Sequence, residues 1–265
     1  MSLPIPRAKE SIMSLARCLA AAAAVALAMP SAPSSVASAD EHHFVLSSAR
    51  NRARLATFEL SDHVDEAIHS RWKVSQRSLH GGMQEGVELI TIDNGRLQCD
   101  VVPTRGMSIL SVSNAVTGER LFGWDSPVKE VVHPLYVDLE SHGGLGWLQG
   151  FNEWMVRCGL EFAGHPGKDQ FLTNTGDQSE LDLTLHGKIG NTPASEVELW
   201  VEKEPPYRLR LRGVVHERMF YGPKLQLVTE LSLLPNQAQI ELSESITNLG
   251  ASDQEYQIIY HTNYG

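Results

Sequence analysis

The chain has 265 residues, with 22 Lys and Arg against 32 Asp and Glu for a formal charge of −10, and 42% of its residues are hydrophobic. That composition is globular and excludes a disordered or collagen-like chain, while the acidic balance offers no basic footprint for nucleic acid. No apolar run reaches the roughly 18 residues that a membrane-spanning helix needs. In chain order, Arg7, Lys9 and Arg17 give a basic start, and Cys18 to Met29 form an unbroken apolar run. Ala37-Ser38-Ala39 then supplies a small-x-small cleavage pattern. Those are the three parts of a secretory signal, so residues 1–39 read as a signal peptide and the mature protein as exported, periplasmic or extracellular. Export permits a disulfide, but only Cys99 and Cys158 remain in the mature chain, too few for a framework.

Residues 40–78 are polar and read as a loosely attached N-terminal arm holding a strand or short helix, with His42 and His43 in a solvated tail. From Val87 the period becomes two. Val87, Leu89 and Thr91 alternate, Asn94-Gly95 follows, and Leu97, Cys99 and Val101 alternate again. Asn-Gly between alternating runs predicts a hairpin, because both turn positions tolerate positive φ. The second half repeats the pattern through Leu181 to Leu185, Val197 to Val201, Tyr207 to Leu211, Leu225 to Leu233, Ile240 with Leu242, and Tyr256 to Tyr260. One-sided alternation without helical stretches between the runs predicts an all-β fold of antiparallel sheets, a sandwich rather than a βαβ array.

Between the two halves, residues 133–167 are dense in Gly, Trp, His and Glu and show no period. Long irregular loops on rigid sheets commonly carry sites. Trp147, Phe151 and Trp154 offer flat apolar faces suited either to a core or to stacking on a sugar ring. The sequence contains no G-x-S-x-G elbow, phosphate-binding glycine loop, H-E-x-x-H or paired C-x-x-C. Its eleven histidines follow no standard metal spacing, so neither metal nor cofactor is expected. His186 and His261 each end an alternating strand, where a side chain can enter a cleft supported by a sheet.

The segments PTRGMSI (103–109), GWDSPVKEVVHP (123–134), GGLGWLQGFNEWMVRCGLEF (143–162), LHGKIGNTPAS (185–195) and IIYHTNYG (258–265) carry a resemblance. Over residues 79–265 the chain resembles a bacterial family of uncharacterised function within the aldose 1-epimerase (galactose mutarotase-like) superfamily. The resemblance implies an antiparallel β-supersandwich domain over 79–265 that binds a small-molecule sugar in an open cleft. In mutarotases an arginine and then a histidine in an L-H-G context hold sugar hydroxyls, and a later histidine is the general acid. Arg157 and His186 match the first two in order, and His261 matches the third. Arg105, Trp147 and Trp154, within the matching motifs, join Arg157 and His186 as substrate-contact candidates. His80 also has the L-H-G-G letters, but it precedes the arginine.

The superfamily's general base is a glutamate well downstream of the acid histidine, and nothing after His261 matches it. The resemblance therefore implies a domain incomplete at its C-terminal side and a chain that is impaired as an isomerase on its own. A non-catalytic carbohydrate-binding module and a non-functional fragment stand beside the enzyme reading. Which sugar is bound, and in what oligomeric state, is not encoded in these motifs.

Overall fold

The computed structural model describes residues 41–64, 70–172, 175–220 and 222–265, and the signal peptide read over residues 1–39 lies outside them. Sixteen strands form among the described residues. The first eight are β1 (Glu41–Ser48), β2 (Ala53–Arg54), β3 (Thr57–Val64), β4 (Ser70–Ser78), β5 (Glu88–Asp93), β6 (Leu97–Val102), β7 (Ser108–Asn114) and β8 (Arg120–Phe122). The others are β9 (Met155–Leu160), β10 (Gly167–Leu172), β11 (Gln178–Leu183), β12 (Glu196–Glu202), β13 (Leu209–Arg218), β14 (Lys224–Leu233), β15 (Glu241–Asn248) and β16 (Gln257–Thr262). A six-stranded sheet runs β15-β14-β13-β12-β1-β2. An eight-stranded sheet runs β16-β9-β7-β6-β5-β4-β3, with β8 also paired to β7, and β10 and β11 form a separate hairpin.

The strands form where the sequence alternates. On β12 Val197, Leu199 and Val201 are buried while the residues between them are half-exposed, and β14 follows the same rule from Leu225 to Leu231. Their apolar sides meet Ile90, Ile92, Val101 and Met107 of the facing sheet in one inter-sheet core. Each buried aliphatic side chain there contributes about 1.5–3 kcal/mol relative to exposure. The expected Asn94-Gly95 hairpin joins β5 to β6, with Ile92 opposite Cys99, and the Asn94 carboxamide oxygen accepts from the amides of Arg96 and Leu97.

The segment read as a loose N-terminal arm is instead part of both sheets. Strand β1 lies between β12 and β2 of the six-stranded sheet, and β3 and β4 extend the eight-stranded one. Its polarity misled because β2 and β3 close the sheets' edges, and β1 turns three of its first five side chains toward solvent. His43 belongs to no tail: its ring stacks on Trp200 at 4.6 Å, and its Nε2 lies 3.1 Å from the Glu198 carboxylate. Cys99 and Cys158 are both buried and free. Cys99 packs in the inter-sheet core and Cys158 in a different cluster beneath the 133–151 loop, so the two thiols do not meet.

Candidate functional site

Strand β9 is buried on both faces. Met155 and Leu160 join the inter-sheet core, while Val156 and Cys158 turn to the other side and pack with Trp147, Phe151, Ala163 and Leu185. The irregular 133–151 segment therefore folds over the outer face of the eight-stranded sheet. Arg105 holds it there. Its Nε donates to Glu153 Oε1 at 2.8 Å and its Nη2 to the Gly150 carbonyl at 2.9 Å, while Nη1 donates to the Asn191 side-chain oxygen. Gly150 must lack a side chain, since a Cβ there would stand 2.6 Å from the guanidinium. Both partners of the Arg105–Glu153 pair are fully buried, so Arg105 orders the loop from inside and is not open to a substrate.

Two imidazoles sit on this loop-covered face. His261 of β16 pairs in register with Val156 of β9, which puts its ring on the same side as Trp147 and Phe151. Its centroid lies 5.0 Å from Phe151 and 5.8 Å from Trp147. His186 approaches from the far side, edge-to-face with Trp147 at 4.7 Å and with His261 at 5.3 Å. Both histidines are half-buried over a buried aromatic floor of Trp147 and Phe151.

The backbone at His186 is unusual. It has φ 60°, and Gly187 follows at φ 68°. A non-glycine residue in the left-handed region costs on the order of 1–3 kcal/mol and persists where surrounding structure fixes it. Here the His186 amide donates to the Gly164 carbonyl and the Gly159 amide donates to the His186 carbonyl. The imidazole Nδ1 lies 3.0 Å from the Ala163 carbonyl oxygen and so carries the proton. That bond leaves Nε2 of the neutral ring as an acceptor. Burial, and secondarily the charge that His186 carries when protonated, holds the His261 imidazole below its ordinary value.

The other candidates are placed elsewhere. Arg157 alternates with Val156 and Cys158, so it points into the sandwich, fully buried, where its Nε bonds Glu244 and its Nη1 donates to the Met107 carbonyl at 2.7 Å. It is not beside the imidazole pair. Trp154 is half-buried and stacks on Phe122 at 4.9 Å beside Tyr264, apart from the histidine pair. Trp147 is in the cluster, but as its floor. Sequence reasoning missed Trp124, which packs on Phe151 at 4.9 Å, and Glu244. A signal for Glu244 was present, since it falls in phase with Leu242 and Ile246 on an alternating strand. A cavity of 730 Å³ lies nearby between Gly143-Gly144, Pro166 to Lys168 and the β10–β11 hairpin, and neither imidazole lines it. Among the described residues no group of three or more His, Cys, Asp or Glu is arranged to hold a metal ion.

An antiparallel sandwich that presents two imidazoles on an aromatic floor has the fold of the aldose 1-epimerase-like β-sandwich proteins. The chain is 42% identical to a crystal structure from Klebsiella pneumoniae subsp. pneumoniae described as "a putative aldose 1-epimerase", with a TM-score of 0.74 over 85% of this chain and 56% of that one. The chain thus spans little more than half the length of that relative. The model of a family described as a domain of unknown function (DUF4432) matches residues 84–265, and the chain belongs to that family. No curated protein matches.

Proposed function

We propose that the chain binds a sugar at the imidazole pair and belongs to a protein that acts at the anomeric carbon by acid–base proton transfer. The observation that carries this is the juxtaposition of His186 and His261, 5.3 Å apart over Trp147 and Phe151. Two half-buried imidazoles beside a buried aromatic floor supply placed polar atoms of the kind that hold the hydroxylated rim of a pyranose. His186, fixed by Ala163, accepts a sugar hydroxyl at Nε2. His261 protonates the ring oxygen as the proton leaves the anomeric hydroxyl, the C1–O5 bond breaks, and the aldehyde turns about C1–C2. Reclosure on the other face gives the second anomer.

That cycle needs a base as well. Among the described residues no carboxylate is hydrogen-bonded or ion-paired to either imidazole, and Glu153 and Glu244 are both engaged by arginines. The base is a carboxylate from outside this set, and the chain by itself binds sugar while exchanging anomers slowly. The same observation favours a second reading, a binding module without catalysis.

NMR separates the two. Sugar binding shifts the His186 and His261 imidazole signals under both readings. Joining the chain to the unmatched part of the Klebsiella relative raises anomer exchange under the enzyme reading alone, and His261→Ala then lowers it by about 10²–10⁴-fold, the usual worth of a proton-transfer group. Exchange indifferent to His261→Ala removes the acid assignment.

A further inference from the structure

On the inner face of β9 and β16, opposite the histidines, lies a polar group that is buried at Arg157 and Glu244 and reaches solvent at Tyr260. Arg157 of β9 pairs with Tyr260 of β16 in register, just as Val156 pairs with His261 one residue away. Glu244 of β15 gathers three partners. Its Oε1 accepts from Arg157 Nε and, at 2.6 Å, from the Thr229 hydroxyl of β14, while its Oε2 accepts from the Tyr260 hydroxyl at 2.7 Å. Arg157 is tied in turn to the Met107 carbonyl at the turn before β7. These bonds join the edge of the six-stranded sheet (β14, β15) to the edge of the eight-stranded one (β9, β16).

Among the described residues strand β16 ends the eight-stranded sheet and has β9 as its neighbour on that sheet. Backbone pairing on one side leaves an edge strand free to twist and fray. Two side chains on its inner face oppose that: Ile258 packs against the inter-sheet core and Tyr260 bonds Glu244. Side chains alternate across a strand, so whatever fixes Tyr260 inward fixes His261 outward.

We propose that Arg157, Glu244 and Tyr260 form a positioning network that fixes the edge strand β16 and so sets the placement of the His261 imidazole against His186 and Trp147. The inference rests on the acid–base reading above for its catalytic meaning, and on geometry for the positioning itself. Arg157 thereby takes a role other than the substrate contact expected from the sequence. A guanidinium with no exposed surface meets no sugar, but it does hold a carboxylate in one place. Its Nη2 makes no hydrogen bond, so Glu244 and the carbonyl of Met107 fix it. Burial and the bond to Glu244 push the Tyr260 hydroxyl up to about 12, so it stays a donor throughout the neutral range. Burying such a pair is weak evidence for added stability, and fixing one arrangement is its best-supported use.

The test is Tyr260→Phe in the full chain, which removes one hydroxyl and leaves the ring. Tyr264→Phe, at an exposed tyrosine outside the network, is the control. In Tyr260→Phe, amide exchange across β16 rises about 3- to 10-fold, the range a single hydrogen bond supports, and the His261 NMR titration midpoint moves up toward the ordinary imidazole value as the ring loosens into solvent. The control changes neither. Thr229→Val removes a donor to Glu244 from the neighbouring strand β14, shifts His261 in the same direction, and gives the same readout if Tyr260→Phe fails to fold. An unchanged His261 midpoint and unchanged β16 exchange overturn the network. If His261 moves but anomer exchange in the joined protein is indifferent to His261→Ala, the positioning stands and the catalytic reading falls.

Discussion

His261 and His186 face one another closely enough, 5.3 Å between centroids, that His261 responds to the charge of His186. Burial is the larger cause of the depressed His261 value and the positive potential of His186 the smaller. His186→Ala therefore raises the His261 midpoint only part of the way to the ordinary value near 6.5, a change read by NMR titration of the ring protons. A midpoint that stays put shows that the two rings are not coupled. The sign also fixes a rate profile. An acid is active when protonated, so exchange by the joined protein falls as pH rises through the depressed midpoint, below about 6.5. A rate that instead climbs through that window makes His261 the base. Stability runs the other way. Between the folded value and about 6.5 the unfolded chain binds this proton more readily, so the His261 contribution is present above that window and lost as pH falls through it.

At the scale of elements, what was legible followed periodicity. The alternating runs from Val87 onward became β5, β6 and β11 to β16, with one buried and one wet face kept most clearly on β12 and β14, and Asn94-Gly95 announced its own turn. Pairing partners were not legible, and the candidate site depends on them. Nothing local to Arg157 says that β16 lies beside β9, or that Tyr260 rather than His261 shares its face. Glu217 shows the same limit. It sits in phase with Leu209, Leu211 and Val215 on β13, and its carboxylate accepts from the amides of Leu160 at 2.9 Å and Glu161 at 3.1 Å. Burial pushes its carboxyl up, against the lowering effect of those two donors. The chain leaving β9 is thereby pinned just before Ala163, whose carbonyl orients His186. Glu217→Ala strands two amides, and a loss of about 1–3 kcal/mol is expected for buried donors left unpaired, measured by denaturant unfolding. A wider His186 rotamer distribution, visible in its ring-carbon shifts, should accompany it.

For the whole molecule, the decisive piece is the stretch from β1 to β4 that sequence polarity made look detachable. It enters the six-stranded sheet as β1, held against β12 from Glu41 opposite Glu202 to Ser48 opposite Glu196, and crosses to the eight-stranded sheet as β3 and β4. Phe44 and Phe58 meet across that crossing at 5.3 Å, and Leu46 has no exposed surface. Strand β1 thus joins residues 155 apart in sequence, as His43 and Glu198 show, and such long-range pairing makes β-rich folds cooperative and slow to form. A detachable arm tolerates changes that a central strand does not. Leu46→Ala should cost about 2–5 kcal/mol, the range for deleting most of a buried aliphatic side chain. The loss should appear equally in tryptophan fluorescence and far-UV circular dichroism, because both sheets share one core. A chain begun at Thr57 should lose the cooperative transition altogether, since β12 would then be left as an unpaired sheet edge and the core would lose Phe44 and Leu46. If Leu46→Ala stays within about 0.5 kcal/mol of the parent, as surface changes do, then β1 is an arm after all and the sandwich closes without it.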